Sequence, residues 1–159
     1  MKIAWLCLWV LGVSGALAES SSSPLPACTA AEFRQFDFWL GSWTVRNPDG
    51  VAVGSSEIER AAEGCAVREE WTSARDIRGM SLNFYDAQSK QWQQHWVGGD
   101  GQILALRGGI AERAMVLADP NNRITWTPLP DGKVKQEWSS SSDGGQTWKT
   151  SFIGIYEKR

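Results

Sequence analysis

Tryptophans alternate with amide and carboxyl side chains in several short segments of this chain. The sets spaced two residues apart are Glu69 with Trp71, Trp92 with Gln94 and Trp96, and Gln136 with Trp138. On an extended strand, residues two apart point to the same face, so each set shares a face. A buried indole N–H or amide needs a hydrogen-bond partner, which a polar ligand or a neighbouring side chain can supply. The pattern therefore fits either an aromatic ligand site or a filled core.

A second polar face runs along the segment from Ser81 to Tyr85. Ser81, Asn83 and Tyr85 alternate there with Leu82 and Phe84, so one of the two faces is internal. A face of Leu and Phe is normally buried, but the mixed tryptophan and amide faces elsewhere favour the polar face as the internal one. The predicted ligand-binding set is Glu69, Trp71, Asn83, Tyr85, Trp92, Gln94, Trp96, Trp126, Gln136 and Trp138.

The adjacent acids Glu69 and Glu70 point to opposite faces of a strand, so they cannot act together as an acid and a base. Glu69 shares its face with Trp71, which makes it the better candidate for a buried carboxylate with a raised pKa. Such a group can bind a cation or act as a general base. The competing interpretation, which we favour from the sequence, is an ion pair with one of several arginines, namely Arg68, Arg75, Arg107 or Arg123.

The single histidine, His95, limits the catalytic and cofactor chemistry of the chain. It is the only nitrogen ligand for a haem iron and the only histidine base for a nucleophilic triad, whereas a zinc site uses several His or Cys ligands. By alternation His95 lies opposite Trp92 and Trp96, and hence outside if they are inside. We therefore predict no catalytic residue, no metal site and no cofactor.

The N-terminal residues predict export to the periplasm or the medium. Lys2 precedes an apolar run from Ile3 to Val13, and Ala16 and Ala18 form the small-x-small site that signal peptidase recognises. A permanent membrane helix needs about 20 apolar residues, so this run is too short to be one. We expect cleavage near Ala18 and no permanent membrane anchor.

Cysteine usage agrees with an oxidising compartment. Once Cys7 leaves with the signal, Cys28 and Cys65 remain as an even pair, which predicts a disulfide. Metal or redox chemistry is the alternative for two lone cysteines, but the chain has no CxxC motif.

Length and charge define the domain organisation. We predict a signal peptide at 1–18, a flexible Ser/Pro leader at 19–28 and a single domain at 29–159, which is long enough for one core. The formal net charge is −2 and the chain has no basic run, so we expect no nucleic-acid partner.

One helix and many strands are expected to position these side chains. Thr29 and Glu32 form a capping box, Phe33, Phe36 and Leu40 share a helical face, and the next residue is a glycine. Short alternating runs separated by hairpin-type turns then predict strands near 42–47, 51–60, 65–73, 79–86, 91–97, 102–108, 112–118, 122–127, 133–140 and 147–157. Such a meander buries its edges by closing on itself or by stacking as a sandwich. We predict an all-β, antiparallel up-and-down barrel of about 8–10 strands with one short N-terminal helix.

The segment FDFWLGSW at 36–43 resembles the entry of lipocalin-like (calycin) barrels. That resemblance implies that Trp43 closes one end of the barrel and that Lys158 or Arg159 packs across it. The chain is also similar to a group of exported bacterial calycin-like proteins of unknown function. The matching segments are GC at 64–65, EEW at 69–71, SLNFYD at 81–86, WQQHW at 92–96, TWTPLPDGKVKQEW at 125–138 and SSDGGQTW at 141–148. The group has an Asp where this chain has Gly98, and the resemblance implies a fold but no activity.

The segment Ser141–Trp148 matches the Asp-box, a hairpin device in which the acid holds backbone amides, and we predict a structural role for it.

The leading functional prediction is an exported barrel that binds a small hydrophobic or aromatic molecule. Two alternatives stay open, namely a structural or envelope-interaction module with a filled barrel, and an enzyme that uses Glu69 as a general base near Asn83 or Tyr85.

Overall fold

Ten antiparallel strands follow one another around a closed barrel in the computed structural model, which describes residues 28–159. The strands are β1 (Gly41–Arg46), β2 (Ala52–Ala61), β3 (Ala66–Ser73), β4 (Arg78–Asp86), β5 (Gln91–Gly98), β6 (Ile103–Ala111), β7 (Ala114–Ala118), β8 (Asn122–Pro128), β9 (Val134–Ser140) and β10 (Lys149–Lys158). Each strand pairs with its neighbours in sequence, and β1 pairs with β10. The predicted barrel is confirmed, whereas the predicted signal peptide and nearly all of the leader lie outside the described residues.

Hairpin turns connect the strands where glycine permits an unusual backbone. Gly101 and Gly132 adopt φ angles of 87° and 78°, which L side chains rarely adopt. The register around the barrel then places alternate residues inside, as in the pairs Val45 with Tyr156 and Asn83 with Gln94. Because of this alternation, each strand face that the sequence predicts to be internal points into the lumen of the barrel.

The predicted short N-terminal helix is present, but it is 3₁₀-helical and does not follow the 3.6-residue period that the sequence suggests. It forms two 3₁₀ turns, Ala31–Arg34 and Asp37–Trp39, and no side chain caps the first of them. The buried aromatics Phe33, Phe36 and Trp39 are spaced by three residues, which is the period of a 3₁₀-helix. Burial of Trp39 instead of Leu40 therefore explains why the 3.6-residue pattern was wrong here.

This segment closes one end of the barrel and is held there by two links. Cys28 pairs with Cys65, with their Cα atoms 4.9 Å apart, as the sequence predicts. Asp37 forms an ion pair with Arg60 of β2. The segment is thus fastened to the β2–β3 side of the barrel.

Trp43 lies at the closed end with no exposed surface. Its Nε1 donates a hydrogen bond to the Trp39 carbonyl at 2.9 Å, and Lys158 Nζ lies 5.1 Å from the centroid of its ring. Lys158 is therefore the basic residue that packs across Trp43, while Arg159 pairs with Glu57.

The Asp-box is a hairpin device, as predicted. Asp143 accepts hydrogen bonds from the backbone N–H of Gln146 at 3.0 Å and of Thr147 at 2.9 Å. These bonds and those from the Ser141 and Thr147 hydroxyls lower the pKa of Asp143 to about 2. Arg123 lies 4.5 Å from the centroid of the Trp148 ring and covers it.

Within residues 28–159, no helix is long and apolar enough to cross a membrane.

Candidate ligand-binding site

A cavity of about 320 Å³ occupies the half of the barrel that lies away from the N-terminal segment. Its lining comes from β3, β5, β6, β8, β9 and β10, which closure of the sheet brings to face one another. The lining residues are Glu69, Trp71, Gln94, Trp96, Gln102, Leu104, Ile124, Gln136, Trp138, Ser151, Phe152 and Tyr156.

Aromatic rings form much of the cavity wall, and glycines on neighbouring strands make room for them. A Cβ atom added to Gly54 would lie 2.5 Å from Cη2 of Trp71, and one added to Gly79 would lie 2.5 Å from Cζ2 of Trp96. Each indole therefore occupies the space that a side chain would fill on the adjacent strand. The rings pack against the wall and leave the lumen open.

Glu69 is the acid in the cavity lining, and it has no cationic partner within residues 28–159. It is only 3% exposed and accepts hydrogen bonds from Ser56 Oγ and Ser81 Oγ, both at 3.0 Å. Tyr156 OH lies 3.5 Å from Glu69 Oε1. The predicted ion pair with an arginine is wrong. Arg68 pairs with Glu59 and Glu70, Arg123 lies over the Trp148 ring, and no arginine among residues 28–159 pairs with Glu69.

Burial controls the ionisation of Glu69. Desolvation raises its pKa from 4.5 to about 7, and the hydrogen bonds from Ser56, Ser81 and Tyr156 only partly oppose this rise. Burial, together with the nearby Glu69 carboxylate, raises the pKa of Tyr156 above its ordinary value. Glu69 therefore changes charge near neutral pH, while Tyr156 stays protonated.

A chain of amides extends the network from Glu69 across the barrel. Asn83 Nδ2 donates hydrogen bonds to Val67 O at 3.1 Å and to Ser81 Oγ at 2.9 Å. Because the Val67 carbonyl can only accept, the side-chain atom of Asn83 that faces it must be the amide nitrogen. Asn83 Oδ1 is thus the acceptor for Gln94 Nε2, at 2.9 Å. In this chain of hydrogen bonds Gln94 uses its Nε2 atom. Its Oε1 atom is buried and has no hydrogen-bond partner among residues 28–159.

The structure brings six of the ten predicted ligand-binding residues into the cavity, namely Glu69, Trp71, Gln94, Trp96, Gln136 and Trp138. Trp92 and Trp126 pack on Phe36 at the closed end instead, with ring centroids 5.6 and 5.2 Å from it. Tyr85 contacts Phe33, and Asn83 accepts a hydrogen bond from Gln94. These four residues therefore do not line this cavity, and the prediction that they contact a ligand stays a prediction.

Six lining residues were not identified from the sequence, namely Gln102, Leu104, Ile124, Ser151, Phe152 and Tyr156. Alternation along β6 and β10 marks Leu104 and Tyr156 as internal. The sequence carries no signal for their position along the barrel axis, which decides whether they line a cavity or a core.

His95 is exposed, as predicted, and its ring lies 5.9 Å from that of Phe84 on the outer surface. Throughout the part of the chain that the structure describes, no group of three or more His, Cys, Asp or Glu side chains could hold a metal ion. The polar groups that line the cavity include Glu69, Tyr156 and the amides of Gln94, Gln102 and Gln136.

Comparison with known proteins adds no family to this description. No protein-family model matches the chain, and no curated protein matches it. The similarity to exported calycin-like barrels stays a prediction.

Proposed function

We propose that this protein binds a small, partly apolar molecule in its barrel cavity. The observation that carries the proposal is the cavity itself, whose volume of about 320 Å³ lies at the lower end of the range typical of small-molecule sites. It corresponds to about ten water molecules in the liquid. A barrel that served only as a filled structural module would have no need of such a space.

The lining has the composition of a binding site. Trp71, Trp96, Trp138 and Phe152 supply apolar surface, and Glu69 and the amides supply a few polar groups. Gln94 Oε1 is an acceptor that no donor of residues 28–159 reaches, and an unpaired buried polar atom costs about 1–3 kcal/mol. A ligand that donates a hydrogen bond there would remove that cost.

Tryptophan fluorescence tests the proposal directly. We expect N-phenyl-1-naphthylamine, a neutral aromatic amine, to bind and to quench the emission of the cavity tryptophans Trp71, Trp96 and Trp138. The measurement is a titration of the mature chain, with saturation at one molecule of probe per barrel. Absence of saturable quenching by this probe, and by a panel of smaller aromatic compounds, would contradict the proposal.

A matched pair of glycine variants localises the binding. In Gly79→Ala the new Cβ displaces the Trp96 ring into the lumen, so we expect the probe affinity to fall about tenfold or more. In Gly109→Ala the new Cβ meets no atom within 4 Å, so we expect no change. Equal affinities in the two variants would show that the probe binds elsewhere.

A second candidate function is a reaction with general-base catalysis, which one observation favours. Glu69 lines the cavity with a pKa of about 7, a value suited to accepting a proton near neutral pH. Its neighbours are Ser56, Ser81 and Tyr156, so Tyr85, at the closed end, could not assist it. Turnover of p-nitrophenyl acetate that rises through pH 7 and is lost in Glu69→Gln would support this candidate.

A further inference from the structure

We propose that the ligand of this cavity is an organic cation, a protonated amine attached to a small aromatic or apolar body. This inference rests on the proposed ligand-binding function and names the class of molecule. Three features of the lining support it, namely its charge, its aromatic wall and the direction of its hydrogen bonds.

The charge of the lining is one-sided. Among residues 28–159, Glu69 is the only acid that lines the cavity, and no Lys, Arg or His side chain of these residues lines it. The two charged neighbours of Glu69 along β3, Arg68 and Glu70, pair with each other on the outer face. A cation in the cavity would therefore be the direct partner of a buried carboxylate, whereas an anion would meet like charge.

The wall suits a cation that carries an apolar body. Trp71, Trp96, Trp138 and Phe152 line the same cavity as the acid, and an aromatic face attracts an ammonium group through its negative electrostatic potential. Such attraction grows when the cation is removed from water. The same rings would contact the apolar part of the molecule.

The hydrogen bonds around the acid point in one direction. The Ser56 and Ser81 hydroxyls donate to Glu69, and the Tyr156 hydroxyl donates to Gln136 Oε1 at 2.7 Å. These hydroxyl protons already have acceptors, while Gln94 Oε1 remains an acceptor without a donor in the described part of the chain. An ammonium group supplies up to three N–H donors and no acceptor, which is the complement of this arrangement.

Binding of a cation would also be coupled to the ionisation of Glu69. The groups that face its carboxylate come from three other strands: Ser56 from β2, Ser81 from β4 and Tyr156 from β10. Only Tyr156 among them can titrate, and its pKa is raised further from neutrality. The affinity for an amine should therefore be lost as the pH falls through about 7.

Isothermal titration calorimetry with three probes of similar size tests the inference. The probes are 2-phenylethylamine, which is cationic at pH 8, neutral 2-phenylethanol and anionic phenylacetate. We expect the amine to bind about tenfold or more tighter than either of the others. Between pH 8 and pH 5.5 its affinity should fall by about 30-fold as Glu69 takes up a proton, while that of the alcohol changes little.

The outcomes separate this inference from the proposed function. In Glu69→Gln, with folding checked by circular dichroism, the amine and the alcohol should bind equally. If the parent binds N-phenyl-1-naphthylamine but shows no preference for the amine, the cation is excluded and the binding function stands. If no aromatic probe binds at all, both proposals fail. The pH dependence of amine affinity is measured on the parent protein, so it tests the inference even if Glu69→Gln does not fold.

Discussion

At pH 8 the Glu69→Gln variant is expected to be more stable than the parent by roughly 3 kcal/mol. The carboxyl of Glu69 has a pKa of about 7 when folded and 4.5 as its ordinary value. Each unit of difference corresponds to about 1.4 kcal/mol, and above pH 7 the folded parent holds a buried charge without a cationic partner. The glutamine has a similar shape, carries no charge, and can still form hydrogen bonds with Ser56 and Ser81.

The pH dependence gives this prediction its sign. Between pH 4.5 and 7 the folded parent binds a proton that the unfolded chain has lost, so stability falls as the pH rises through this window. The variant lacks this slope, and the two proteins should have similar stability near pH 4.5. Urea unfolding followed by tryptophan fluorescence at several pH values measures both curves.

The adjacent acid provides the control. Glu70 lies on the outer face and forms an exposed ion pair with Arg68, and such pairs contribute at most about 1 kcal/mol. Glu70→Gln should therefore follow the parent at every pH. A difference between Glu69→Gln and the parent that does not change with pH would show that the charge of Glu69 is not its source.

Much of this fold could be predicted from the sequence because strand alternation is a local property. Each residue set spaced by two is internal or external as a unit, and one correct assignment on a strand fixes its neighbours. The exposed His95 and the buried Gln94 on β5 follow from the same alternation. The N-terminal segment was less predictable, since Phe33 and Phe36 fit both a 3.6-residue and a 3-residue period.

The site was only partly predictable because two of its properties are not local. The position of a tryptophan along the barrel axis depends on the register and tilt of all the strands, so Trp92 and Trp96 look equivalent in sequence although only Trp96 lines the cavity. The partner of Glu69 likewise depends on what faces it across the lumen. Serine hydroxyls meet it there, and the arginines lie elsewhere, so composition alone favoured the wrong partner.

Trp39→Ala is expected to destabilise the protein by about 3–5 kcal/mol, as large-to-small changes of buried aromatics do. The indole has no exposed surface and contacts three rings at the closed end, with centroids 4.8 Å from Phe36, 5.3 Å from Trp126 and 6.0 Å from Tyr156. Its loss leaves a cavity beneath the segment that closes the barrel. Urea unfolding of the variant at neutral pH measures the loss.

Trp39→Phe provides the matched control for the closed end. The Trp39 Nε1 atom is buried, and it has no hydrogen-bond partner among residues 28–159, so the phenylalanine removes an unpaired polar group while keeping an aromatic ring. We expect a loss of less than about 1.5 kcal/mol. Trp39 does not itself line the cavity and meets it through the ring of Tyr156, so folded Trp39→Ala should still bind N-phenyl-1-naphthylamine with an affinity close to the parent's. Loss of probe binding in folded protein would show that the aromatic cluster at the closed end belongs to the site and that the division of the tryptophans into core and cavity is wrong.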